Sequence, residues 1–311
     1  MKTAFIFSGQ GSQYAGMGKE LYDNIPCCKE MFDRADKVLD FSVSELCFGE
    51  NDDLNKTEFT QPALFTMSMA VCKALEEKGI KPDVLAGLSL GEYTALSASG
   101  ALDFEETVVL VRKRGKFMTE AVAAGVGAMS AVLNLDEEKI LEACREASSE
   151  GRVMIANYNA PGQIVIAGDT AAVAKAEELV LEKGAKRAVR LNVSGPFHTS
   201  LLKSASDKLN EELKKITIND ISIPVVTNLT ADTYKDKGEI IDTLTKQVMN
   251  PVRWEQSVRK MIEMGVDTFI EVGPGKTLSS FVKKVSKEVA VYNVENLATL
   301  EKTCKGLGIE C

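Results

Sequence analysis

A serine flanked by two glycines lies where an apolar, strand-like run passes into a helix-like run. The stretch Gly87-Leu88-Ser89-Leu90-Gly91 fits the pattern G-x-S-x-G, whose glycines allow a tight turn that exposes the serine hydroxyl. "DVLAG" precedes the serine and "EYTALSAS" follows it, which is the strand-to-helix context that such a turn requires. The pattern predicts that Ser89 is a nucleophile. The alternative is a small residue that lets a helix pack close to a sheet.

The histidine content limits the bases that could activate this serine. A serine hydroxyl is a weak nucleophile at neutral pH unless a base, usually histidine, accepts its proton. The chain has one histidine, His198, which follows Gly195-Pro196 at the predicted start of an amphipathic helix. The positive end of a helix disfavours the imidazolium ion and would keep the ring neutral. We therefore expect His198 to be the base, its alternative role being that of a polar residue at a helix start.

An arginine is predicted to point inward from a helix. In "LVRKRGKFM" the spacing places Arg114 on the same helical face as Leu110, Val111, Phe117 and Met118. A buried guanidinium needs an anion, and its planar fork suits a carboxylate. The residues alone do not decide which anion pairs with Arg114. It could be a carboxylate of the substrate, or a buried Asp or Glu in a structural salt bridge.

Two glycine-rich turns do not fit nucleotide-binding motifs. "SGQGSQYAG" has tyrosine at position 14 where the dinucleotide motif needs glycine, and "VGPGKT" lacks the first P-loop glycine because position 270 is isoleucine. The first turn is better suited to offering backbone N–H groups to an oxyanion. With one histidine and no Cys/His cluster, we predict no metal site and no cofactor.

The composition is typical of a soluble enzyme. Hydrophobic residues make up 45% and charged residues 26% of the 311 residues, and the net charge of -8 disfavours a general nucleic-acid binder. The apolar runs are shorter than a membrane span, and the N-terminal run is too short for a signal peptide. We expect a cytoplasmic protein. Seven cysteines without a C-x-x-C pair favour free thiols.

Strand-like and helix-like segments alternate along most of the chain, which predicts an α/β fold. We expect a large, α/β-hydrolase-like domain with a mainly parallel sheet, including a long helix from residue 103 to about 124. From residue 127 to 194 the predicted order is βαββαβ, the ferredoxin-like arrangement. The predicted domains are therefore a discontinuous large domain, 1–125 and 195–311, and a small inserted domain, 126–194.

With these residues in place, the chain resembles the malonyl-CoA:acyl-carrier-protein transacylase family, which is related to the acyltransferase domains of polyketide synthases. The resemblance covers nearly the whole chain, and its motifs occur in the family's order. They are "GQGSQ" at 9–13, "GLSLGEYTAL" at 87–96, "RGKFM" at 114–118, "NYNAPGQIVIAG" at 157–168, "GPFHTSLL" at 195–202, "QVMNPVRW" at 247–254 and "EVGPGKTL" at 271–278.

The resemblance implies a ping-pong acyl transfer. Ser89 would attack the malonyl thioester of coenzyme A, His198 would carry the proton, and the malonyl group would pass to the phosphopantetheine thiol of acyl carrier protein. The expected partners are therefore malonyl-CoA and acyl carrier protein, without nucleic acid or membrane. We expect a monomer that supplies extender units for fatty acid synthesis, although the sequence does not separate this pathway from polyketide synthesis.

The resemblance also implies roles for individual residues. Gln10 and Leu90 match the positions whose backbone N–H groups form an oxyanion hole. Arg114 matches the arginine that pairs with the malonyl carboxylate. Gln247 matches the residue whose backbone carbonyl orients the catalytic histidine.

Two positions near the site, Leu88 and Phe197, bear on acyl selection, and Ser8 is a further departure from the family pattern. The family commonly has histidine where this chain has Leu88, which is expected to change the polarity of the pocket or the fit of the acyl group. Ser8 replaces a frequent proline, with no predicted effect. Phe197 resembles malonyl-selective members. Two other functions remain open: a serine esterase or thioesterase that delivers the acyl group to water, and a carrier-docking module without catalysis, whose expected mark is a lost serine or histidine.

Overall fold

A parallel β-sheet forms the centre of the larger part of the molecule. The computed structural model describes residues 1–123, 125–193 and 195–310. Five strands pair in the order β7-β2-β1-β8-β9, and every pairing is parallel. The strands are β1 Thr3–Phe7, β2 Val84–Gly87, β7 Val225–Val226, β8 Thr268–Val272 and β9 Ala290–Val294. Every residue of β1, β2 and β8 is buried, as expected for a parallel sheet covered on both faces.

Helices cover this sheet and build most of the core. The longest, α4, is 21 residues and lies against the long helix α6. The helices outside the smaller sheet are α1 Lys19–Asn24, α2 Pro26–Val38, α3 Val43–Phe48, α4 Thr57–Glu77, α5 Leu90–Ala98, α6 Phe104–Glu120, α9 Lys203–Leu213, α10 Ile240–Gln247, α11 Trp254–Glu263, α12 Thr277–Val285 and α13 Leu297–Leu307. None of the helices in the described ranges is long and apolar enough to span a bilayer.

A second, antiparallel sheet forms a separate unit with its own apolar core. Its strands are β3 Gly127–Leu133, β4 Val153–Ala160, β5 Gln163–Asp169 and β6 Arg187–Arg190, in the order β4-β5-β3-β6. Helices α7 Glu137–Ala147 and α8 Thr170–Glu182 complete the βαββαβ order predicted from the sequence. The domain boundaries stay predictions, and the one at residue 194 lies outside the described residues.

One edge of the antiparallel sheet reaches the larger unit. Strand β4 has a register shift between Ile155 and Asn157, and Asn157 pairs with Val252, which precedes α11. A bulge of this kind redirects side chains, and such bulges often lie beside active sites. It brings the Asn157 side chain to the cavity described below.

Two predicted helices begin later than expected. The stretch "SQYAGMGKELYDNI", whose pattern predicts a helix from Ser12, is helical only from Lys19. Gly16 and Gly18 have positive φ angles of 90° and 79°, which interrupt a right-handed helix. The helix predicted at His198 begins at Lys203, after a 3₁₀ turn over Ser200–Leu202. The long helix α6 ends at Glu120, and its predicted end at residue 124 lies outside the described part of the chain.

Five cysteines are free thiols, as expected from the sequence, but Cys304 is disulfide-bonded, so the expectation of free thiols is wrong at this residue. Free thiols are present at Cys27, Cys28, Cys47, Cys72 and Cys144. Burial raises the pKa of Cys27 to about 11 and that of Cys144 to about 12, so both are protonated at neutral pH. Cys311 lies outside the described residues.

Candidate active site

The turn that carries Ser89 is strained, and it depends on both glycines of the motif. Ser89 lies between β2 and α5 with φ 55° and ψ -102°, a conformation that non-glycine residues rarely adopt. A side chain at Gly87 would lie 2.0 Å from the backbone of Gly91, and one at Gly91 would lie 2.2 Å from the carbonyl oxygen of Phe7. The glycines therefore allow the close packing of helix on sheet, and the serine between them occupies a strained position of the kind found at functional sites.

Asn228 holds this turn in place. The Ser89 N–H donates to Asn228 Oδ1 at 2.6 Å, and Asn228 Nδ2 donates to the Gly87 carbonyl at 2.7 Å. Asn228 is fully buried and follows strand β7. Its side chain thus satisfies two backbone groups of the turn.

We expect Asn228→Ala to impair both stability and the reactivity of Ser89. The substitution leaves two buried backbone groups without partners, and each costs about 1–3 kcal/mol. The free energy of unfolding should fall by roughly 3 kcal/mol, and labelling of Ser89 by a fluorophosphonate should slow about tenfold. Urea unfolding and intact-mass labelling rates measure the two effects. Asn228→Asp, which keeps the acceptor for Ser89 N–H, should retain more reactivity; an unchanged labelling rate in Asn228→Ala would contradict this role.

His198 contacts the serine hydroxyl and is itself held by a backbone carbonyl. Ser89 Oγ lies 2.8 Å from His198 Nε2, and His198 Nδ1 lies 2.9 Å from the carbonyl oxygen of Gln247, the last residue of α10. A carbonyl oxygen only accepts, so Nδ1 carries the proton and Nε2 offers its lone pair to the hydroxyl. This is the tautomer that a general base for Ser89 requires.

The predicted reason for a neutral His198 is wrong, although the ring is neutral. His198 is not at a helix start: it has a positive φ of 60°, and α9 begins at Lys203. Burial, followed by the nearby Arg114 cation, lowers the pKa of His198 to about 4. Desolvation disfavours the charged ring, and a neighbouring positive charge adds to this effect.

Arg114 is buried and makes no ion pair with any carboxylate of the described residues. It is 1% exposed. Its Nη1 donates to Gln61 Oε1 at 2.8 Å, and its Nη2 donates to Gln247 Oε1 at 3.0 Å and to Ser89 Oγ at 3.1 Å. All three acceptors are neutral, so the structural salt bridge considered from the sequence is not formed. The guanidinium instead lies beside the serine hydroxyl, where a substrate carboxylate could reach it.

A cavity of about 210 Å³ opens between the two units at this point. Seven of the eight predicted site residues line it: Gln10, Leu88, Ser89, Leu90, Arg114, Phe197 and His198. Gln247 lies behind them and contacts Arg114, Ser89 and His198. The antiparallel sheet adds Met129, Asn157, Asn159 and Val165 to the lining. Both units are therefore needed to enclose the cavity.

Gln10 and Leu90, whose backbone N–H groups are predicted to form the oxyanion hole, both line the cavity that contains Ser89. Leu90 is the first residue of α5, so its N–H has no acceptor within the helix. Gln10 lies in the loop after β1, and its side chain donates to Thr57 Oγ1 at 3.0 Å, which ties down the loop. A side chain at Gly9 would lie 2.6 Å from the Leu88 carbonyl, so this loop approaches the Ser89 turn closely.

Leu88 and Phe197 contribute an apolar wall to the cavity that holds the reacting groups. Leu88 is half-buried beside Ser89, and Phe197 is 6% exposed beside His198. Within the described ranges, no group of three or more His, Cys, Asp or Glu side chains is arranged to hold a metal ion.

Three polar residues of the site were not predicted from the sequence. Gln61 and Asn228 contact Arg114 and the Ser89 turn, and Glu92 accepts hydrogen bonds from Asn228 and Gln247. The sequence could have indicated Glu92, because it is the single charged residue of helix α5. The other residues of this buried helix are apolar, aromatic or small and polar. Gln61 and Asn228 follow no motif spacing and are recognised by their three-dimensional contacts.

Comparison with known proteins agrees with this geometry. The family model described as "Acyl transferase domain" matches residues 4–307. The malonyl CoA-acyl carrier protein transacylase of Bacillus subtilis is 50% identical over 302 residues, which cover 96% of this chain and 95% of that protein. The crystal structure of a malonyl CoA-acyl carrier protein transacylase from Clostridium perfringens has 51% identity and a TM-score of 0.96, covering 99% of this chain and 98% of that one.

A further solved structure contains a carrier protein. It is a type II PKS acyl-carrier protein in complex with its malonyl-transacylase, with 39% identity, a TM-score of 0.96 and coverage of 98% of this chain and 100% of that chain. The shared sequence and fold extend over nearly the full length of these relatives. This chain therefore belongs to the acyl transferase family.

Proposed function

We propose that this protein transfers the malonyl group of malonyl-CoA to the phosphopantetheine thiol of acyl carrier protein through a malonyl-Ser89 intermediate. The observation that carries the proposal is that one hydroxyl contacts both a base and a cation: Ser89 Oγ lies 2.8 Å from His198 Nε2 and 3.1 Å from Arg114 Nη2. A malonyl group has a carboxylate one methylene away from its thioester carbonyl. A carboxylate held at Arg114 therefore brings the carbonyl close to the serine oxygen.

In the first half-reaction Ser89 Oγ bonds to the thioester carbon while its proton passes to His198 Nε2. The N–H groups of Gln10 and Leu90 stabilise the oxyanion of the tetrahedral intermediate. Collapse of the intermediate breaks the carbon–sulfur bond, and His198 returns the proton to the departing thiolate of coenzyme A. The Gln247 carbonyl, 2.9 Å from His198 Nδ1, holds the ring while its charge changes.

The second half-reaction reverses these steps with a different thiol. His198 takes the proton from the phosphopantetheine thiol, the sulfur attacks the malonyl-serine carbonyl, and Ser89 leaves with the proton that His198 returns. Water competes for the same ester, and its success would make the protein a hydrolase. The apolar wall formed by Leu88 and Phe197 supports transfer, because it limits the water held beside Ser89.

The relatives support the choice of substrates. The names of these relatives join malonyl-CoA with acyl carrier protein, and one was solved with a carrier protein bound. We further propose that the protein acts as a cytoplasmic monomer, that it needs no cofactor and that it supplies extender units for fatty acid synthesis. The polyketide pathway is the alternative destination of the malonyl group.

The same proposal includes the finer description of the fold. The parallel sheet with a strained serine turn after β2 supports an α/β-hydrolase-like large domain. The βαββαβ order and the strand order β4-β5-β3-β6 support a ferredoxin-like small domain.

The test is a transfer assay that follows both products. The protein is mixed with malonyl-CoA and holo acyl carrier protein, and intact-mass spectrometry follows the carrier while free malonate is measured separately. We expect the carrier to gain one malonyl group at a rate that far exceeds malonate release. Malonate release without a malonylated carrier would instead identify a hydrolase, and no reaction of either kind would refute the proposal.

A further inference from the structure

A buried carboxylate beside the Ser89 turn has no part in the proton transfers described above. Glu92, the third residue of α5, is fully buried. Its Oε1 accepts from the Tyr234 hydroxyl at 2.6 Å, and its Oε2 accepts from the Asn228 backbone N–H at 3.1 Å and from Gln247 Nε2 at 2.9 Å. The two N–H groups can only donate, so the oxygen that faces them must accept. Such an arrangement suits the ionised carboxylate.

The side-chain amide of Gln247 connects this anion to the buried cation. Its Nε2 donates to Glu92 Oε2 and, at 2.8 Å, to the Ser89 carbonyl, while its Oε1 accepts from Arg114 Nη2 at 3.0 Å. Turning the amide over would place N–H against the guanidinium and C=O against the carboxylate. Both contacts, and the contact with the Ser89 carbonyl, would then be repulsive, so the two charges and this carbonyl together fix the orientation of the amide.

We propose that Glu92 is a positioning residue for malonyl selection, which acts through the Gln247 amide to hold the Arg114 guanidinium beside the Ser89 hydroxyl. The inference rests on the proposed malonyl transfer. Among the described residues, Arg114 donates only to neutral acceptors, and a buried cation is stabilised by a nearby anion. Glu92 provides that anion one amide away, which leaves the face of the guanidinium toward Ser89 for the substrate carboxylate.

A purely structural role for Glu92 makes a different prediction. Its three hydrogen bonds also tie α5 to the segments that carry Tyr234, Asn228 and Gln247, so its loss could lower stability and slow all acyl groups equally. Glu271 provides a matched control for the removal of a buried carboxylate. It is also fully buried, and it accepts from the backbone N–H groups of Leu278 at 3.1 Å and Ser279 at 2.6 Å, with no contact to Gln247.

The experiment compares acylation of Ser89 by malonyl-CoA and by acetyl-CoA in the wild-type protein, Glu92→Gln, Glu92→Asp and Glu271→Gln. Glu92→Gln keeps the size of the side chain and removes the charge. We expect the ratio of malonyl to acetyl acylation rates to fall about tenfold in Glu92→Gln, to recover in part in Glu92→Asp and to stay at the wild-type value in Glu271→Gln. Equal losses for both acyl groups in Glu92→Gln would overturn the proposal.

A crystal structure of Glu92→Gln gives a readout that does not depend on activity. We expect the Arg114 Nη2–Gln247 Oε1 contact to be lost, and an unchanged contact would overturn the proposal. If Glu92→Gln does not fold, the malonyl-to-acetyl ratio and the Arg114 Nη2–Gln247 Oε1 contact are measured in Glu92→Asp. A wild-type ratio in Glu92→Asp, together with an unmoved Arg114, would also overturn the proposal. Failure of the wild-type protein to take a malonyl group would refute the proposed function separately, and the crystal structure would then decide the positioning role.

Discussion

Replacement of His198 by alanine is expected to slow malonylation of Ser89 by about 10³- to 10⁴-fold. Within the part of the chain that the structure describes, the imidazole is the one base that contacts the hydroxyl, 2.8 Å away, and the chain has no second histidine to replace it. Arg114, the other group at the hydroxyl, is a cation and cannot accept the proton. Rapid-quench measurement of the acyl-enzyme formed from malonyl-CoA gives the rate. A loss smaller than about tenfold would show that another group acts as the base.

The acid limb of the pH profile tests the same residue without a mutation. Burial and Arg114 lower the pKa of His198 to about 4, so the ring stays neutral down to mildly acidic pH. The acylation rate should therefore change little from neutral pH to about pH 5 and should fall near pH 4. Because the chain has one histidine, its imidazole signal in an NMR titration needs no assignment. A midpoint near the ordinary value of about 6.5 would contradict the buried, neutral base.

The same shift predicts how His198 affects stability. Its folded-state pKa lies below the unfolded value, so its contribution to the free energy of unfolding is fully present above about pH 6.5. That contribution should be lost as the pH falls from about 6.5 to about 4, because the unfolded chain binds a proton that the folded ring does not. Comparing urea unfolding of the wild type and of His198→Ala across this range isolates it from the carboxylates.

Replacement of Arg114 by alanine is expected to reduce malonyl transfer by about 10²- to 10³-fold relative to acetyl transfer. The malonyl carboxylate would enter a mostly apolar cavity without its cation, and leaving one partner of a buried ion pair alone costs about 3–5 kcal/mol. Acetyl-CoA has no carboxylate and loses no such contact. The ratio of the two kcat/KM values, measured on the same enzyme preparations, isolates the carboxylate contact from general damage to the site.

Two variants of the same helix serve as controls for Arg114→Ala. Arg114→Lys keeps the charge without the planar fork, so it should restore only part of the malonyl preference. Lys113→Ala removes the neighbouring cation, which points to solvent and pairs with Glu212 at 2.6 Å, and should leave the preference unchanged. Equal losses of malonyl and acetyl transfer in Arg114→Ala would show that the arginine has a structural role and does not bind the malonyl carboxylate.

The chemistry-bearing residues were predictable because their local sequence forces their position. The two glycines around Ser89 let α5 pack closely against β1 and β2, because a side chain at either position would clash with the neighbouring backbone. The spacing of apolar residues along α6 places Arg114 on the buried face of that helix. His198 was predictable for a different reason: it is the sole histidine of the chain, so no other histidine could be the base. In contrast, Asn228 reaches the Ser89 turn from 139 positions away, and its role depends on the packing of β7 against β2.

The fold was predictable in its element order and less so at the ends of its helices. The βαββαβ segment was readable because helical and strand periodicities alternate there with clear turns. The helix expected at His198 begins only at Lys203, because His198 has a positive φ of 60°, which a right-handed helix does not accommodate. Glu92 was not predicted as a site residue, because its role depends on hydrogen bonds from Gln247 and Asn228, which are distant in the sequence.

The most direct test of the account is the mass of the protein after brief exposure to malonyl-CoA, followed by peptide mapping of the modified residue. We predict that the wild-type protein gains one malonyl group on Ser89, that Ser89→Ala gains none and that holo acyl carrier protein removes the group from the wild type. Malonyl label on Ser89→Ala, or on any residue other than Ser89 in the wild-type protein, would contradict the account.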